Sequence, residues 1–559
     1  MAADPAYAPA HSALAAALSS LGYDARAQEQ ARLAFDRAAG LSREERLSIE
    51  GRYRELSRDW PKAIAIYRTL AGFFPDSLEH GLHLAAVLAS GGQAAEAMAA
   101  IDTLRRLPPP SGDDPRIDVA EARTAGVLGD FKRDLAAAQR AGAKGQALGA
   151  RLVVAQAKSA EGFALERLGR LDEAMASFAQ AQDLFAAAGD RLGAAVALQM
   201  SGTVLLDKAD FAGARRTYDA ALRVFRQLGA QQRIAATLNN IGNVLYDQVE
   251  LDAAKQHYEE VLKIDREIGD RAGAAGALGN LANVLDTMGD LAGARAMQEQ
   301  GLAAFREIGD RRGIASTLNN FGNVLMELGD LAGARQRYDE ALAITRETGY
   351  KRGQAYSTFG LVEVLAAEGR LDEARALAEE TLAMRTELAD ENNGAWSRLQ
   401  LASIAIEQRR PADAERLARD AAAVFERLKA AESGAVAQAW LSTALLDQGR
   451  NADAAAAAER AASLARGSAS RGPRFEAAMA GARVLGATGR APDAVRQLEA
   501  TIAEASKYGY LPYELQARLA AGRIEKRAGI AGATARLAAL ERDARAKRFE
   551  LIARSAAGR

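Results

Sequence analysis

The amino-acid sequence repeats itself every forty residues over most of its length. The repeat is clearest as a turn, Gly-[Asp/Arg]-x-x-x-Ala, whose first residue recurs as Gly129, Gly169, Ala209, Val249, Gly289, Gly329, Gly369, Arg409, Gly449, Gly489 and Gly529. Similar turns begin at Gly22, Arg58 and Gly92. A fixed period of this size is typical of stacked units that bury their apolar faces against their neighbours. The sequence therefore predicts about fourteen consecutive units.

Within each unit, two positions hold small side chains, which predicts two closely packed antiparallel helices. Five positions after the turn residue, alanine recurs as Ala174, Ala214, Ala254, Ala294, Ala334, Ala374, Ala414, Ala454 and Ala494. Seven positions before the turn stand Gly162, Gly202, Gly242, Ala282, Gly322, Ala402, Ser442 and Ala482, with Val362 as the exception. We expect these small residues where two helix backbones approach. Recurring aromatics such as Tyr218 and Tyr258 are interpreted as core rather than as a cofactor pocket.

A small residue, a turn glycine, an alanine and an aromatic at these positions resemble the signature of the tetratricopeptide repeat, most strongly from Arg151 to Asp390. The forty-residue length is similar to the longer repeats of the Pins/LGN cell-polarity adaptors and of kinesin light chain. The chain also resembles the tetratricopeptide tails of bacterial multidomain signalling proteins. This resemblance implies an all-α, right-handed superhelical solenoid of about fourteen helix-turn-helix units.

Three segments are predicted along the chain. Residues 1–125 are expected to form amino-terminal repeats that start within an array, residues 126–532 the regular forty-residue array, and residues 533–559 the last helix with a carboxyl-terminal cap. The start, Asp4 to His11, resembles a linker between two repeats, whereas the carboxyl end is expected to be complete. Leu107 to Pro115 contains four prolines and is predicted to be a loop, because proline disrupts a helix.

The connectors between repeats place a glycine directly before an aspartate, as in Gly189-Asp190-Arg191, Gly269-Asp270-Arg271 and Gly309-Asp310-Arg311. Glycine is suited to ending one helix, and aspartate to capping the amino end of the next. We favour this structural interpretation over a binding role for the Asp-Arg pair.

Composition and motifs exclude several classes of function. The net charge is −1, from 72 basic and 73 acidic residues, so no electrostatic force favours nucleic acid or an anionic membrane. Cysteine is absent, which excludes disulfides and thiolate metal sites. The sequence contains no phosphate-binding loop, zinc-protease motif, nucleophile elbow or kinase catalytic loop. We therefore expect no enzymatic activity and no cofactor; a deep cleft holding a perturbed acid or histidine would reopen the question.

Two further expectations concern metals and location. His80 and His83 lie three residues apart on a predicted helix, and we interpret the pair as a solvated helix face rather than a metal site, because no further ligands accompany it. The amino terminus lacks the pattern of a signal peptide, and no run of 18 apolar residues occurs. We expect a cytoplasmic protein.

Asparagine, a poor interior helix residue, recurs in the first helix of three consecutive repeats, which requires a cause. The recurring residues are Asn239, Asn240 and Asn243, then Asn280 and Asn283, then Asn319, Asn320 and Asn323. The tetratricopeptide resemblance implies that first helices line a concave groove, and similar asparagines in O-GlcNAc transferase and kinesin light chain hold an extended peptide. These amides either bind a peptide in that way or bond to neighbouring helices. We favour the first hypothesis.

The sequence therefore predicts a bacterial adaptor or scaffold protein in signalling, whose groove, centred on residues 239–327, binds a peptide segment of a partner protein. Asp207, Asp247 and Glu327 lie near the ends of the same first helices and favour a basic or neutral ligand. From helix spacing and peptide rise, three repeats would read about six to nine ligand residues. The alternative is a sensor or regulatory segment of a bacterial serine/threonine kinase or transcriptional regulator.

Overall fold

The computed structural model describes residues 7–20 and 23–558. Within those ranges the chain forms 29 α-helices and two short 3-10 turns, and no strand. The helices group into two compact units, Met1–Ala274 and Ala275–Arg559. The all-α prediction is confirmed.

The first unit contains fourteen helices before the boundary. They are α1 (Ala8–Ser20), α2 (Asp24–Asp36), α3 (Arg43–Leu56), α4 (Trp60–Phe73), α5 (Leu78–Ser90), α6 (Ala94–Leu104), α7 (Pro115–Leu128), α8 (Phe131–Ala147), α9 (Arg151–Arg167), α10 (Leu171–Ala187), α11 (Arg191–Asp207), α12 (Phe211–Leu228), α13 (Gln231–Asp247) and α14 (Leu251–Ile268). The 3-10 turns are Ala38–Gly40 and Ser111–Asp113.

The boundary between the units falls inside the next helix, and the second unit holds the remainder. These helices are α15 (Arg271–Met288), α16 (Leu291–Ile308), α17 (Arg311–Glu327), α18 (Leu331–Glu347), α19 (Lys351–Ala367), α20 (Leu371–Glu387), α21 (Glu391–Glu407), α22 (Pro411–Arg427), α23 (Ala431–Asp447), α24 (Asn451–Ala465), α25 (Arg471–Ala487), α26 (Ala491–Tyr508), α27 (Leu511–Arg527), α28 (Ala533–Ala546) and α29 (Glu550–Ala556). The predicted segment boundaries at residues 125 and 532 stay predictions.

Successive helices pair as the repeat predicts. Each turn residue from Arg58 to Gly529 lies between an odd-numbered helix and the even-numbered helix that follows it. Gly22, the first predicted turn, and residues 1–6 lie outside the described residues. The described helices therefore make fourteen pairs followed by α29, which confirms the predicted solenoid of helix pairs.

The two columns of small residues are buried for different reasons. Every alanine of the first column, from Ala174 to Ala494, is buried. In the second column, a Cβ at Gly202 or Gly242 would lie 2.7 Å from the ring of Tyr218 or Tyr258. The expectation that two backbones meet here was therefore wrong, because the closest atoms belong to the aromatic ring of the paired helix.

Val362, the exception in that column, follows the same packing logic. The position sixteen residues later is Ala378, whereas four other repeats carry an aromatic ring there, namely Phe178, Tyr218, Tyr258 and Tyr338. Val362 and Ala378 belong to one buried cluster. The larger valine therefore fills the space that the missing ring leaves, as close packing of a core requires.

The connectors confirm the capping interpretation. The side chain of Asp190 accepts a hydrogen bond from the backbone N–H of Gly193 at 2.8 Å, and Asp310 accepts from Gly313 at 3.0 Å. The glycines before them adopt left-handed backbone angles, with φ of 77° at Gly189. Between residues 104 and 115 only a 3-10 turn forms, which confirms the proline-rich loop.

Within the second unit, the last helices fold back onto the first ones. Arg471 donates to the carbonyl of Thr287 at 3.2 Å, and the Tyr510 hydroxyl donates to the carbonyl of Asp286 at 2.9 Å. Further along, the guanidinium of Arg548 lies 3.2 Å from the Glu368 carboxylate. α25, α27 and the segment before α29 therefore contact α15 and the α19–α20 turn.

The carboxyl-terminal segment takes part in this closure. Leu540 and Phe549 share a buried cluster with Leu331, the first residue of α18, and with Leu515 of α27. Because α28 and α29 pack against helices more than one repeat away, their apolar residues do more than cover the last repeat.

Candidate functional site

A cavity of about 1330 Å³ lies inside the second unit. Its lining comes chiefly from the odd-numbered helices α15 to α29, with two residues of α20 and with Tyr350 and Phe549, which directly precede α19 and α29. Pockets for drug-sized ligands typically measure about 300–1,000 Å³, so this cavity has room for a longer molecule such as a peptide segment.

One column of the repeat supplies polar groups to the cavity at forty-residue intervals. Its members are Asn323, Glu363, Ser403, Thr443, Arg483 and Arg523. The column continues the one that contains Asn243 and Asn283 in the sequence. Because the first helices repeat with that period, equivalent positions face the same interior. The side chains change along the column from amide to acid, hydroxyl and arginine.

Three carboxyl groups, those of Asp286, Glu327 and Glu363, line one part of the cavity; we call them the acidic group. Burial raises the pKa of Asp286, while a hydrogen bond with Glu327 lowers it. Burial and the neighbouring Asp286 raise the pKa of Glu327 well above its usual range. Burial also raises the pKa of Glu363 to about 7, although its side chain is reachable from the cavity. These carboxyls are held where negative charge is unfavourable.

The acidic group lacks nearby cations. In the described parts of the chain, no Lys, Arg or His nitrogen lies within ion-pair distance of these three carboxylates. One oxygen of Asp286 and one of Glu327 are buried without a hydrogen-bond partner. A hydrogen bond with the Gln400 side chain is the largest effect that lowers the pKa of Glu363, followed by the charge of Arg385. An unpaired buried acid is costly, so this cluster is complementary to a cation.

Three arginines line another part of the same cavity, namely Arg483, Arg523 and Arg527; we call them the arginine group. They lower the pKa of Asp447, against a larger effect of burial that raises it. Burial lowers the pKa of Arg523; the charge of Glu407 opposes this effect, and the charges of Arg483 and Arg527 add to it. Arg483 donates to the Thr443 hydroxyl at 3.0 Å. Arg523 and Arg527 are exposed residues that line the cavity.

Two almost fully buried polar side chains also line the cavity. Gln400 is 8% exposed, and its Nε2 donates to the carbonyl of Phe359 at 3.0 Å, while its Oε1 is buried with no partner among the described residues. Glu476 is 9% exposed, and burial raises its pKa to about 7 against the opposing charge of Arg483. A ligand that supplies the missing hydrogen bonds to such groups stabilises the complex.

Aromatic residues give the cavity its apolar surface. Trp396, Trp440 and Tyr513 line it, together with Phe359. The guanidinium of Arg385 lies 4.4 Å from the Phe359 ring centre and donates to the Ser397 hydroxyl at 2.8 Å. Burial lowers the pKa of Arg385 to about 10. Flat apolar surfaces beside polar groups suit a ligand whose side chains alternate in character.

The structure brings four of the predicted site residues to this cavity: Asn319, Asn320, Asn323 and Glu327. Asn319 is 8% exposed, and its Oδ1 accepts from the Ser357 hydroxyl at 2.9 Å. The Oδ1 of Asn323 accepts from the Tyr338 hydroxyl at 2.7 Å. Asn320 faces the cavity without a hydrogen-bond partner in the described part of the chain. Two of the three amides therefore serve helix packing with one oxygen and keep their N–H groups.

The other predicted site residues lie elsewhere. Asn280 and Asn283 are half-buried on α15 and do not belong to the described lining of the cavity. In the first unit, Asn243 accepts from the Tyr258 hydroxyl at 2.7 Å. Asn239 and Asn240 are half-buried on α13, and Asp207 and Asp247 are exposed at the ends of α11 and α13. Their proposed role in binding stays a prediction.

The two histidines are engaged by side chains of neighbouring helices. His80 Nε2 lies 2.9 Å from a carboxylate oxygen of Glu44. The ring of His83 stacks on Tyr67 with 5.4 Å between ring centres, and burial lowers its pKa. Across the residues that the structure describes, no three His, Cys, Asp or Glu side chains are grouped to hold a metal ion.

Comparison with protein families identifies the repeat. The tetratricopeptide-repeat family model matches residues 233–307, 313–387 and 357–427. These parts of the chain are therefore tetratricopeptide repeats, as the sequence predicts. The repeats support a general role in protein interaction. A comparison with curated proteins found no match.

Solved structures similar to the chain come from several organisms. BtubC (BKLC) from P. vanneervenii is 21% identical, with a TM-score of 0.32, over 42% of this chain and 93% of that protein. The apo form of the quorum sensor NprR from B. thuringiensis is 14% identical, with a TM-score of 0.45, over 60% of this chain and 97% of that one. The APC/C hetero-tetramer Cut9-Hcn1 is 13% identical, with a TM-score of 0.45, over 92% of this chain and 96% of that one.

None of the helices in the described ranges is both long and apolar enough to cross a lipid bilayer.

Proposed function

We propose that the chain is a protein-interaction scaffold and that its second unit binds an extended peptide segment of a partner protein inside the cavity. The observation that carries this proposal is the enclosure of about 1330 Å³ by the inner helices of one unit, with unsatisfied polar groups on its wall. A packed interior would leave no such space.

The chemistry of the lining suits a peptide backbone. A peptide offers an N–H donor and a C=O acceptor at each residue, and an asparagine amide can both donate and accept. Asn320 presents an unused amide, Asn323 keeps its Nδ2 group, and Gln400 keeps a bare Oε1. Each hydrogen bond that a ligand completes here contributes about 0.5–1.5 kcal/mol.

Of the groove predicted from sequence, Asn319, Asn320, Asn323 and Glu327 enter this proposal. The alternative of a regulatory segment attached to a kinase or transcription-factor domain differs in what the chain is joined to, and the same cavity would serve it. That alternative stays a prediction.

A catalytic role is the second candidate, because Glu363 and Glu476 combine an enclosed position with a pKa of about 7. Perturbed acids of this kind occur in active sites as well as in binding sites. We favour binding, because a reaction also needs a nucleophile or a held water aligned with the acid. The experiment below distinguishes the two, since hydrolysis would shorten the peptides that are recovered.

The test uses a synthetic pool of random peptides of about eight residues, the length expected from the repeat spacing. The pool is mixed with the full-length protein, the complex is separated by size exclusion, and retained peptides are identified by mass spectrometry. We expect retained, intact peptides, and loss of retention in Ser316→Trp, which places a bulky side chain at an exposed position on the cavity wall.

Ala303→Trp is the matched control, because Ala303 is exposed on α16 and does not belong to the described cavity lining. It should retain peptides as the unaltered protein does. Equal retention by both tryptophan variants would place binding outside the cavity, and absence of retained peptides on the unaltered protein would contradict peptide binding.

A further inference from the structure

We propose that the bound peptide is dipolar: a cationic group of the peptide lies among Asp286, Glu327 and Glu363, and an anionic group lies against Arg483, Arg523 and Arg527. This inference rests on the proposed peptide-binding function. It adds which peptides are selected and in which direction they lie.

The acidic group supplies the first half of the argument. Its three carboxyls have no ion-pair partner in the described part of the chain, and two of their oxygens are buried without any hydrogen-bond partner. A lysine or arginine side chain, or a free amino end, would provide the missing donors and cancel the repulsion between the carboxyls. Arg385, the one cation that acts on Glu363, is already held by the carbonyl of Asn393 at 2.5 Å.

Independent support comes from Gln400, an almost fully buried side chain that hydrogen-bonds with Glu363 of this group. Its Oε1 is buried and has no donor within the described residues. This acceptor belongs to a side chain that lines the cavity. A buried acceptor without a partner is uncommon in folded proteins, and here several converge on one space. The shared deficiency is one of donors, which a cationic ligand group carries.

The arginine group supplies the second half. Arg523 and Arg527 lie four residues apart on α27, so the two like charges share one helix face. Arg483 acts on Glu407 and Asp447 along with them, yet no carboxylate within the described chain comes close enough to any of the three to form an ion pair. Arginine binds carboxylates through paired hydrogen bonds, so a ligand carboxylate would fit here.

Several charged residues of the same unit outside these two groups do form ion pairs. Arg450 lies 2.9 Å from Glu415 and 2.6 Å from Asp453, and Arg335 lies 2.9 Å from Glu368. A peptide in the reverse direction would place its cationic group against the arginine group and its anionic group against the acidic group. Such repulsion discriminates between orientations and between ligands.

The test repeats the pool experiment with two pools, one with blocked ends and one with free ends. In the blocked pool we expect retained peptides to be enriched in those that carry both a Lys or Arg and an Asp or Glu. Enrichment only in the free-ended pool would assign the charges to the peptide termini instead of side chains, and would support the same dipolar recognition.

Two sets of variants then separate the halves of the proposal. Asp286→Asn with Glu327→Gln and Glu363→Gln should lower the enrichment of Lys and Arg about tenfold while Asp and Glu stay enriched. Arg483→Gln with Arg523→Gln should lower the enrichment of Asp and Glu about tenfold while Lys and Arg stay enriched. Circular dichroism and thermal melting report whether each variant is folded, and single substitutions replace any set that is not.

The outcomes distinguish the two proposals. Peptides retained without charge selection, or with a selection that neither set of variants changes, would overturn dipolar recognition and leave peptide binding intact. A pool from which nothing is retained would overturn both.

Discussion

Two clusters of acids, one in each unit, differ in how their charge is balanced. In the first unit, Asp118 is fully buried and lies 2.6 Å from Arg105, 3.2 Å from Arg140 and 2.8 Å from Lys144. Burial raises its pKa, but these cations together hold the pKa below the usual value of 3.8. In the second unit, the acidic group around Glu327 has no such partners, and the pKa values are raised.

The comparison distinguishes a structural cluster from a binding cluster. Glu121 joins the first cluster through Arg105 and through Arg133 at 2.7 Å, so acids and bases form a closed network between helices. Removing one partner from such a network leaves uncompensated charges. In the cavity, the missing partners have to come from outside the chain. The following predictions test this difference.

The largest effect is expected for Asp118→Asn, which leaves three cations facing a neutral amide. Because the cations are partly exposed, we expect a loss of about 2–3 kcal/mol in the free energy of unfolding, measured by urea denaturation at neutral pH. A depressed pKa stabilises the folded state at pH values above the unfolded pKa, so the difference should shrink as the pH falls below about 3.8 and vanish only below the depressed pKa of the folded state. Asp113→Asn, at an exposed position nearby, is the control and should change little.

For Glu476→Gln in the cavity, we expect a gain in the free energy of unfolding instead of a loss. The pKa of Glu476 rises from 4.5 to about 7 in the folded protein, so the unaltered protein loses stability as the pH rises through that range. The glutamine variant avoids this loss and should be more stable by about 2 kcal/mol at pH 8, with no gain at pH 4. Glu499→Gln, whose carboxylate is 53% exposed, is the matched control. A loss of stability at pH 8 for Glu476→Gln would show that this acid is paired after all.

A smaller effect is expected for Asn320, whose side-chain amide lines the cavity. Asn320→Ala removes an amide that has no partner in the described chain, so peptides from the pool should bind about two- to tenfold more weakly. Thermal melting should stay the same or rise, because alanine is the better helix former. Isothermal titration and a melting curve check both. Lowered melting with unchanged affinity would assign Asn320 to helix packing.

The smallest effect is expected for Tyr338→Phe and Tyr258→Phe, each of which removes a hydroxyl that donates to an asparagine of the paired helix. Each should cost about 1 kcal/mol of stability, measured by denaturation. Peptide affinity should not fall in either variant. A loss of affinity confined to Tyr338→Phe would show that the orientation of Asn323 matters for binding.

Much of the fold follows from the sequence, because the forty-residue period is local. The neighbours that determine a residue's role lie within one or two repeats. This holds for Ala174 and its equivalents, for the cap at Asp190 and for the aromatic rings. The return of α25 and α27 to α15 does not follow, because it depends on a small rotation accumulated over many repeats. Arg471 and Tyr510 make those contacts, and neither residue is marked by a pattern that recurs at the repeat period.

The site was predicted in part for the same reason. The asparagines can be recognised in the sequence because they recur at the repeat period. Asp286, Glu363 and Glu476, by contrast, are single acids on helices that carry other acids. Extending the column of Asn323 by forty residues reaches Glu363, Arg483 and Arg523, so that signal was available in the sequence. The spacing of fifteen residues between Asn243 and Tyr258, and again between Asn323 and Tyr338, indicated the structural use of those amides.

The most direct test of the account is hydrogen–deuterium exchange on the full-length protein, with and without the peptide that the pool enriches most. The account predicts that binding slows exchange in α17, α19, α25 and α27, whose side chains line the cavity, and leaves α11 and α13 of the first unit unchanged. Slowed exchange in α11 and α13, with none in the cavity helices, would contradict it.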